Sequence, residues 1–308
     1  MVSIRLKVFS YGVLLATLLT GCDTTDPGDF APEYVVESYL VANEPLQPVL
    51  LSRTRALDTP YDFTEAAVQG ADVRLHRLDD DGTIDATYDF REDPFFAGSY
   101  LPVDGRARAE PRQTYRLDVS IPGGAAPIQA TTVVPDTFSV VRVTGDEVVY
   151  QGEEQLELTV TRSRAAGRDQ NYYLFVTQAF DVREEQLTPF AKAFFDQQDG
   201  DVTLEELSVG GSPILNEENY DLNPDGTLTI RLPWLAITFY GRNRFYINAI
   251  DDNLYDFIRS QSIQQGGSTF SPGEIPNPLE RITGAHGVFG SYARVSLDLF
   301  VKRAEDAN

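Results

Sequence analysis

Short segments in which apolar and polar residues alternate recur along this chain, and that alternation limits the folds open to it. Tyr115, Leu117, Val119 and Ile121 alternate with Arg116, Asp118 and Ser120. Val295, Leu297, Leu299 and Val301 alternate with Arg294, Ser296 and Asp298. A period of two puts each set on one face of a strand. The same reading predicts strands at 34–41, 49–54, 71–76 and 128–134. Asp79-Asp80-Asp81-Gly82 is read as a turn that returns the chain into a partner strand at 83–90. A glycine in an Asp-rich turn supplies the positive φ that a tight hairpin needs.

Strands this short, with no helix between them, predict an antiparallel β-sandwich of immunoglobulin-like or transthyretin-like type at 33–135. Pro135 closes that unit. A second β-rich domain is expected at 136–303, with strands at 138–143, 172–179, 228–232 and 245–250. Leu156, Leu158 and Val160 add a further alternating segment. One or two short helices are expected within this domain. Thr188-Pro189 has the form of an N-cap and first helical residue for 190–195. Asp252 is placed to cap a helix whose Leu254, Phe257 and Ile258 share a face. The fold class is therefore all-β, in two β-rich domains.

The N-terminus specifies an address. Arg5 and Lys7 precede an uncharged, mostly apolar stretch at 8–19. It falls short of the roughly 20 residues that span a bilayer core, and it has the length of a signal-peptide apolar region. Leu19-Thr20-Gly21-Cys22 follows and resembles the lipobox of bacterial lipoproteins. That resemblance makes 1–21 a lipoprotein signal peptide and Cys22 the first mature residue and the lipid attachment site. Residues 22–32, with Asp23, Asp26 and Asp29 among Thr, Pro and Gly, read as a flexible acidic tether. Two or more acyl chains hold a protein stably at a membrane. Localisation at the outer membrane, on its periplasmic face or at the cell surface, is the expectation.

Composition excludes several classes. The chain has 47 acids against 25 bases, a formal charge of −22, and it repels phosphate backbones. No nucleic-acid partner is expected. Cys22 is the one cysteine and there are two histidines, so no disulfide, zinc, haem or flavin site is expected and no cofactor.

Tyr34-Val35-Val36-Glu37-Ser38-Tyr39-Leu40 follows the lipobox. Gly70-Ala71-Asp72-Val73-Arg74-Leu75, Gly98-Ser99-Tyr100 and Gln113-Thr114-Tyr115-Arg116-Leu117 come next. Pro276-Asn277-Pro278 and Gly284-Ala285-His286-Gly287-Val288-Phe289-Gly290 stand near the end. In this order they resemble the Bacteroidota lipoprotein family catalogued as domain of unknown function 4249, over nearly the whole mature chain. Ala285-His286 departs from the pattern, which would carry a second glycine and an apolar residue there. The resemblance implies the company of a TonB-dependent outer-membrane receptor and carries over no catalytic residue.

The residues themselves offer little chemistry. Residues 221–229 and 199–206 each match part of a calcium loop, but Leu232 and Phe195 stand where ligands are needed, so each is half a site and a hairpin turn is favoured over calcium. Gly284, Gly287 and Gly290 are spaced by three, and no helix opens after them, so a turn or bulge is favoured over a phosphate cradle. His76 is read as a strand residue on the polar face and His286 as a loop residue. The stretch of Trp234, Phe239, Tyr240, Phe245 and Tyr246 is read as core packing, favoured over a stacking platform for sugars or peptides. A non-catalytic accessory or binding lipoprotein is the leading expectation. A structural or adhesive surface protein, or a carboxylate-dependent hydrolase, is the alternative. Residues 181–226 and 264–292, the longest stretches without strand pattern, are the expected contact surfaces.

Overall fold

A computed structural model describes residues 30–56, 59–124, 126–153, 156–163, 170–198, 200, 202–220, 222–264 and 281–306. Residues 1–21, expected to be a signal peptide, Cys22 and most of the expected tether 22–32 lie outside the described residues. Of the unit Met1–Pro32 with Arg55–Pro60, the described part is coil and bend, and Thr59 N–H donates to Ala56 O at 3.0 Å. Everything below belongs to the unit Glu33–Thr54 with Tyr61–Asn308.

That unit is mainly β. Its strands are β1 Tyr34–Val41, β2 Val49–Arg53, β3 Asp72–Leu78, β4 Ile84–Glu92, β5 Ser99–Pro102, β6 Thr114–Ser120 and β7 Ile128–Val133. There follow β8 Val140–Val143, β9 Glu147–Val149, β10 Glu157–Val160, β11 Tyr172–Ala179, β12 Val209–Gly211 and β13 Leu215–Asn216. The last are β14 Leu228–Arg231, β15 Gly241–Ile250, β16 Ile282–Thr283 and β17 His286–Lys302. Short helices stand at Phe63–Ala66, Pro189–Gln197 and Leu204–Leu207, and a longer one at Asp252–Gln264. Among the described residues no helix is long and apolar enough to cross a membrane.

One large mixed sheet runs in the order β12-β11-β15-β17-β1-β2-β5-β4-β3-β6-β7-β16, and β8, β10 and β14 form a small second sheet. β17 holds the large sheet together. Its first half runs parallel to β1, from Val35 opposite His286 to Val41 opposite Tyr292. Its second half pairs antiparallel with β15. The strand before it, β16, pairs with β7. The chain's C-terminal residues therefore complete the sheet begun by its N-terminal ones.

The alternating segments fall where the period of two places them. Tyr115, Leu117, Val119, Val73 and Leu75 are buried in the core, and so are Leu156, Leu158 and Val160. Val36, Tyr173, Phe175, Phe245 and Phe289 belong to the same cluster. Burying each such side chain is worth about 1.5–3 kcal/mol, so these inward rows set the register. β17 corrects one expectation. The expected loop at 286–292 is strand, paired with β1 and packed against the helix Asp252–Gln264, where Gly287 and Gly290 stand in place of side chains that would alternate.

Candidate interaction surface

β11, β15 and β17 lie side by side, and their register sets the outward side chains in rows. Gln178 stands opposite Arg244 and Arg244 opposite Asp298. Arg242 is level with Phe300, Tyr246 with Ser296, and Asn248 with Arg294. Phe180 follows β11 and donates its N–H to Arg242 O at 3.0 Å. Inward residues of the same strands, Phe175, Phe245 and Ile247, are fully buried and fix the frame.

The arginines on this face are held by rings. Arg242 and Arg244 place their guanidinium carbons 5.4 and 5.5 Å from the Phe180 ring centroid. Arg294 lies 4.6 Å from the Tyr246 ring and 4.9 Å from the Tyr292 ring, and its Nε donates to Asn248 Oδ1 at 2.7 Å. Arg244 forks Asp298, with Nε to Oδ1 at 2.7 Å and Nη2 to Oδ2 at 2.9 Å. Those hydrogen bonds hold the Asp298 carboxyl below the usual carboxylate range and raise Arg244 further above its own. Lys302 pairs with Glu147 of β9. Among the described residues Arg242 and Arg294 have no carboxylate within ion-pair distance. Stacked guanidinium planes keep their outward N–H groups available and give up little freedom on binding.

A helix closes one end of the face. Leu254 packs against Gly290, where an added Cβ would come within 2.5 Å of its Cγ. Tyr255 stacks on Tyr172 with centroids 4.0 Å apart. The cap of this helix is Asp251, not Asp252: its Oδ1 accepts the Leu254 N–H at 2.9 Å. Its other oxygen meets Thr132 Oγ1 at 2.5 Å, and Thr132 meets Ser291 Oγ at 2.7 Å. Asn253 donates to Thr131 O and Phe289 O. This buried polar set fixes the helix to β7 and β17, because buried polar groups left unpaired are costly.

The helix Pro189–Gln197 lies within the region 181–226. Thr188 stands at its N-cap position but makes no side-chain cap bond; its hydroxyl donates to Ile237 O at 3.0 Å. Ala191 turns to a small cluster with Leu187 and Phe239, against which Phe195 packs. Phe190 and Phe194, one turn apart, are 51% and 43% exposed. The helix Leu204–Leu207, not foreseen, has a full capping box between Thr203 and Glu206. In the second expected contact region, 265–280 lies outside the described residues.

The remaining sequence candidates resolve into structure. His76, 8% exposed, has Thr87 Oγ1 at 2.8 Å from Nδ1 and Asp118 Oδ2 at 3.2 Å from Nε2. Hydroxyl, imidazole and carboxylate stand in the order of a nucleophilic triad. However, Asp118 is held by Arg116 and Gln129. The set also sits on paired strands, whose backbone N–H groups are engaged in the ladder rather than gathered as an oxyanion hole. His286 Nε2 meets Glu33 Oε2 at 2.5 Å.

Each of the three glycines answers a close approach. A Cβ on Gly287, at φ +106°, would collide with Val36 O across the β1–β17 seam. A Cβ on Gly284 would press on Pro127 O at 3.0 Å. The turns at Asp79–Thr83 and Asn223–Thr227 are alike. Asp81 Oδ1 accepts the Thr83 N–H and hydroxyl at 2.9 and 2.7 Å, and Asp225 Oδ1 accepts those of Thr227 at 3.0 and 2.6 Å. These bonds lower both carboxyl pKa values. Asp199, Asp201 and Asp221 lie outside the described residues. Among the described residues no group of three His, Cys, Asp or Glu is placed to hold a metal ion. Phe239, Tyr240 and Phe245 are core, Trp234 packs against it, and Tyr246 alone of that stretch faces outward beneath Arg294. β15 begins at Gly241, four residues before the expected start at 245, and so brings Arg242 and Arg244 onto the face; the alternation Arg242, Arg244, Tyr246, Asn248 carries that signal in the sequence.

Fold and surface together define a mainly β protein with an arginine–aromatic sheet face and exposed phenylalanines. The chain belongs to the family described as Domain of unknown function (DUF4249), whose model matches residues 23–298. No curated protein matches it. Among solved structures it is similar to Salmonella alpha-2-macroglobulin reacted with methylamine, at 11% identity and TM-score 0.24, over 88% of this chain and 15% of that one. It is similar also to the three N-terminal domains of the bacteriophage RB49 Highly Immunogenic Outer Capsid protein, at 10% identity and TM-score 0.23, over 89% and 71% of the two chains. A tetra-tandem repeat in the extending region of a large adhesion protein matches at 13% identity and TM-score 0.20, over 87% and 49%. At these scores no residue correspondence and no activity is transferred.

Proposed function

We propose that this protein is a lipid-anchored accessory or binding protein of the outer membrane, that it works by contact rather than catalysis, and that its partner is a TonB-dependent receptor. The observation that carries the reading is the outward pair Phe190 and Phe194. A surface helix ordinarily turns its apolar stripe to the core. Exposed aromatics on a rigid frame are the usual anchors of a protein interface. The lipid would be on Cys22, with 22–32 as the tether. Within the large sheet, 33–135 is read as the immunoglobulin-like or transthyretin-like unit and 136–303 as the second β-rich unit.

A structural or adhesive role is the second reading, favoured by one turn. Asp93 Oδ1 accepts the Phe95 N–H at 2.9 Å and fixes a bend that leaves Phe95 94% exposed. Phe96 beside it stacks on Phe63 at 5.6 Å. The test is twofold. Mass spectrometry of the native N-terminus should find acyl chains on Cys22; an unmodified thiol refutes the anchor. A TonB-dependent receptor should co-purify from detergent-solubilised membranes and be lost with Phe190→Ala/Phe194→Ala. Its absence from the wild-type preparation refutes the partner.

A further inference from the structure

We propose that the outward face of β11, β15 and β17 binds a carboxylated polysaccharide, its sugar rings lying on Phe180 and Phe300 and its carboxylates on Arg242 and on Arg294, which Tyr246 supports from beneath. This names a ligand class for the binding protein proposed above and rests on that reading for there being a ligand.

Charge is the first argument. The chain as a whole carries 47 acids and 25 bases, so an average exposed face is acidic. The outward positions of β15, β17 and β9 reverse this, with Arg242, Arg244, Arg294 and Lys302 against Asp298 and Glu147. Arg244 and Lys302 are matched by those two carboxylates, which leaves two guanidinium groups for an external anion. The remaining positive character is complementary to a polyanion of low charge density. A nucleic acid, with a phosphate at every step, meets the repulsion of the rest of the chain.

Geometry is the second. From Arg242 to Asn248 the rows extend about 20 Å along the strands, and the three strands are about 10 Å across. That is a strip for a linear polymer, long enough for several sugar rings in line. Arg242 and Arg294 stand near its two ends, three rows apart. Phe180 and Phe300, 44% and 41% exposed, offer apolar surface at the same level as Arg242. Aromatic faces take the C–H faces of sugars, and planar guanidinium groups take carboxylates in fork geometry. The stacking that holds the arginines also reduces the ordering needed on binding.

The experiment uses the purified full chain in detergent and polygalacturonate as probe, with neutral dextran and poly(dT) beside it. Affinity electrophoresis and calorimetry should show binding to polygalacturonate that weakens with salt, and none to dextran. Arg242→Ala/Arg294→Ala should weaken it about tenfold or more, as should Phe180→Ala, with unchanged thermal unfolding; Arg74→Ala, on the far end of the sheet, should leave it unchanged. No binding at millimolar uronate, equal binding by the double variant, equal binding of dextran, or preference for poly(dT) would each overturn the proposal. None of these results bears on acylation of Cys22 or on receptor co-purification through Phe190 and Phe194, so the two readings fail separately.

Discussion

On β3 and β6 the outward arginines face carboxylates, whereas on β15 and β17 two outward arginines face aromatic rings. Arg74 meets Asp72 at 2.8 Å and Asp89 at 3.6 Å. Arg116 Nη2 meets Asp118 at 3.0 Å, and Asp118 also meets His76. That end of the sheet satisfies its own charges. At the other end Arg242 lies over Phe180, and Arg294 lies between Tyr246 and Tyr292. A ring holds a guanidinium in place without neutralising it. Strand geometry and alternation are the same at both ends, so the choice of neighbour alone decides whether a face is closed or presents charge. The polar atoms of His76, Thr87 and Asp118 are likewise engaged with one another and with Arg116 and Gln129 within the face.

The largest effect expected acts on both ends at once. Gly287→Ala puts a Cβ against Val36 O at φ +106°, and should cost on the order of 3 kcal/mol or more by urea unfolding. A loss below about 1 kcal/mol would mean that the β1–β17 seam is not what unites them. Next, Asp118→Ala removes the partner of His76, Arg116 and Gln129. It should cost about 2 kcal/mol and leave polygalacturonate binding intact; a binding defect would blur the distinction between the faces.

Alkali tests the core beneath them. Burial raises the Tyr115 phenol to about 12, and burial likewise raises Tyr173. A raised folded pKa gives stability that is complete below the unfolded value near 10 and lost as pH climbs through the folded value. The unfolding free energy measured in urea should therefore hold from pH 7 to 9 and fall between about 10 and 12, by roughly 1–2 kcal/mol for each buried tyrosine. A flat profile would place these hydroxyls in water. The smallest stability effect should come from the arginine–aromatic face. Arg242→Ala and Arg294→Ala should each stay within about 1 kcal/mol of wild type, so a larger loss would make the stacking a structural device.

What was legible in the sequence follows from range. The inward sets Tyr115–Leu117–Val119 and Leu156–Leu158–Val160 are local patterns, and they were read correctly. Tyr34–Val41 and Tyr172–Ala179 were bounded to the residue. β16 and the first half of β17 are not legible in the sequence, because their pairings with β7 and β1 are set by residues some 150 and 250 positions away. The cap at Asp251 was displaced by one residue, since Asp251 also serves Thr132, 119 positions off. Likewise the arginine–aromatic face exists only when Phe180, Arg242 and Arg294 are brought into register. The two Asp-Gly-Thr turns were ambiguous for a different reason: carboxylates that bind a nearby threonine and those that bind calcium share one spacing.

Side-chain oxidative footprinting of the full chain, with and without polygalacturonate, tests the central contrast most directly. It reads Phe180, Tyr246 and Phe300 at one end of the sheet and Tyr88 and His76 at the other in one sample. The account predicts that added polygalacturonate protects the first three and leaves the last two unchanged. Equal protection at both ends, or none at Phe180 and Phe300, would contradict it.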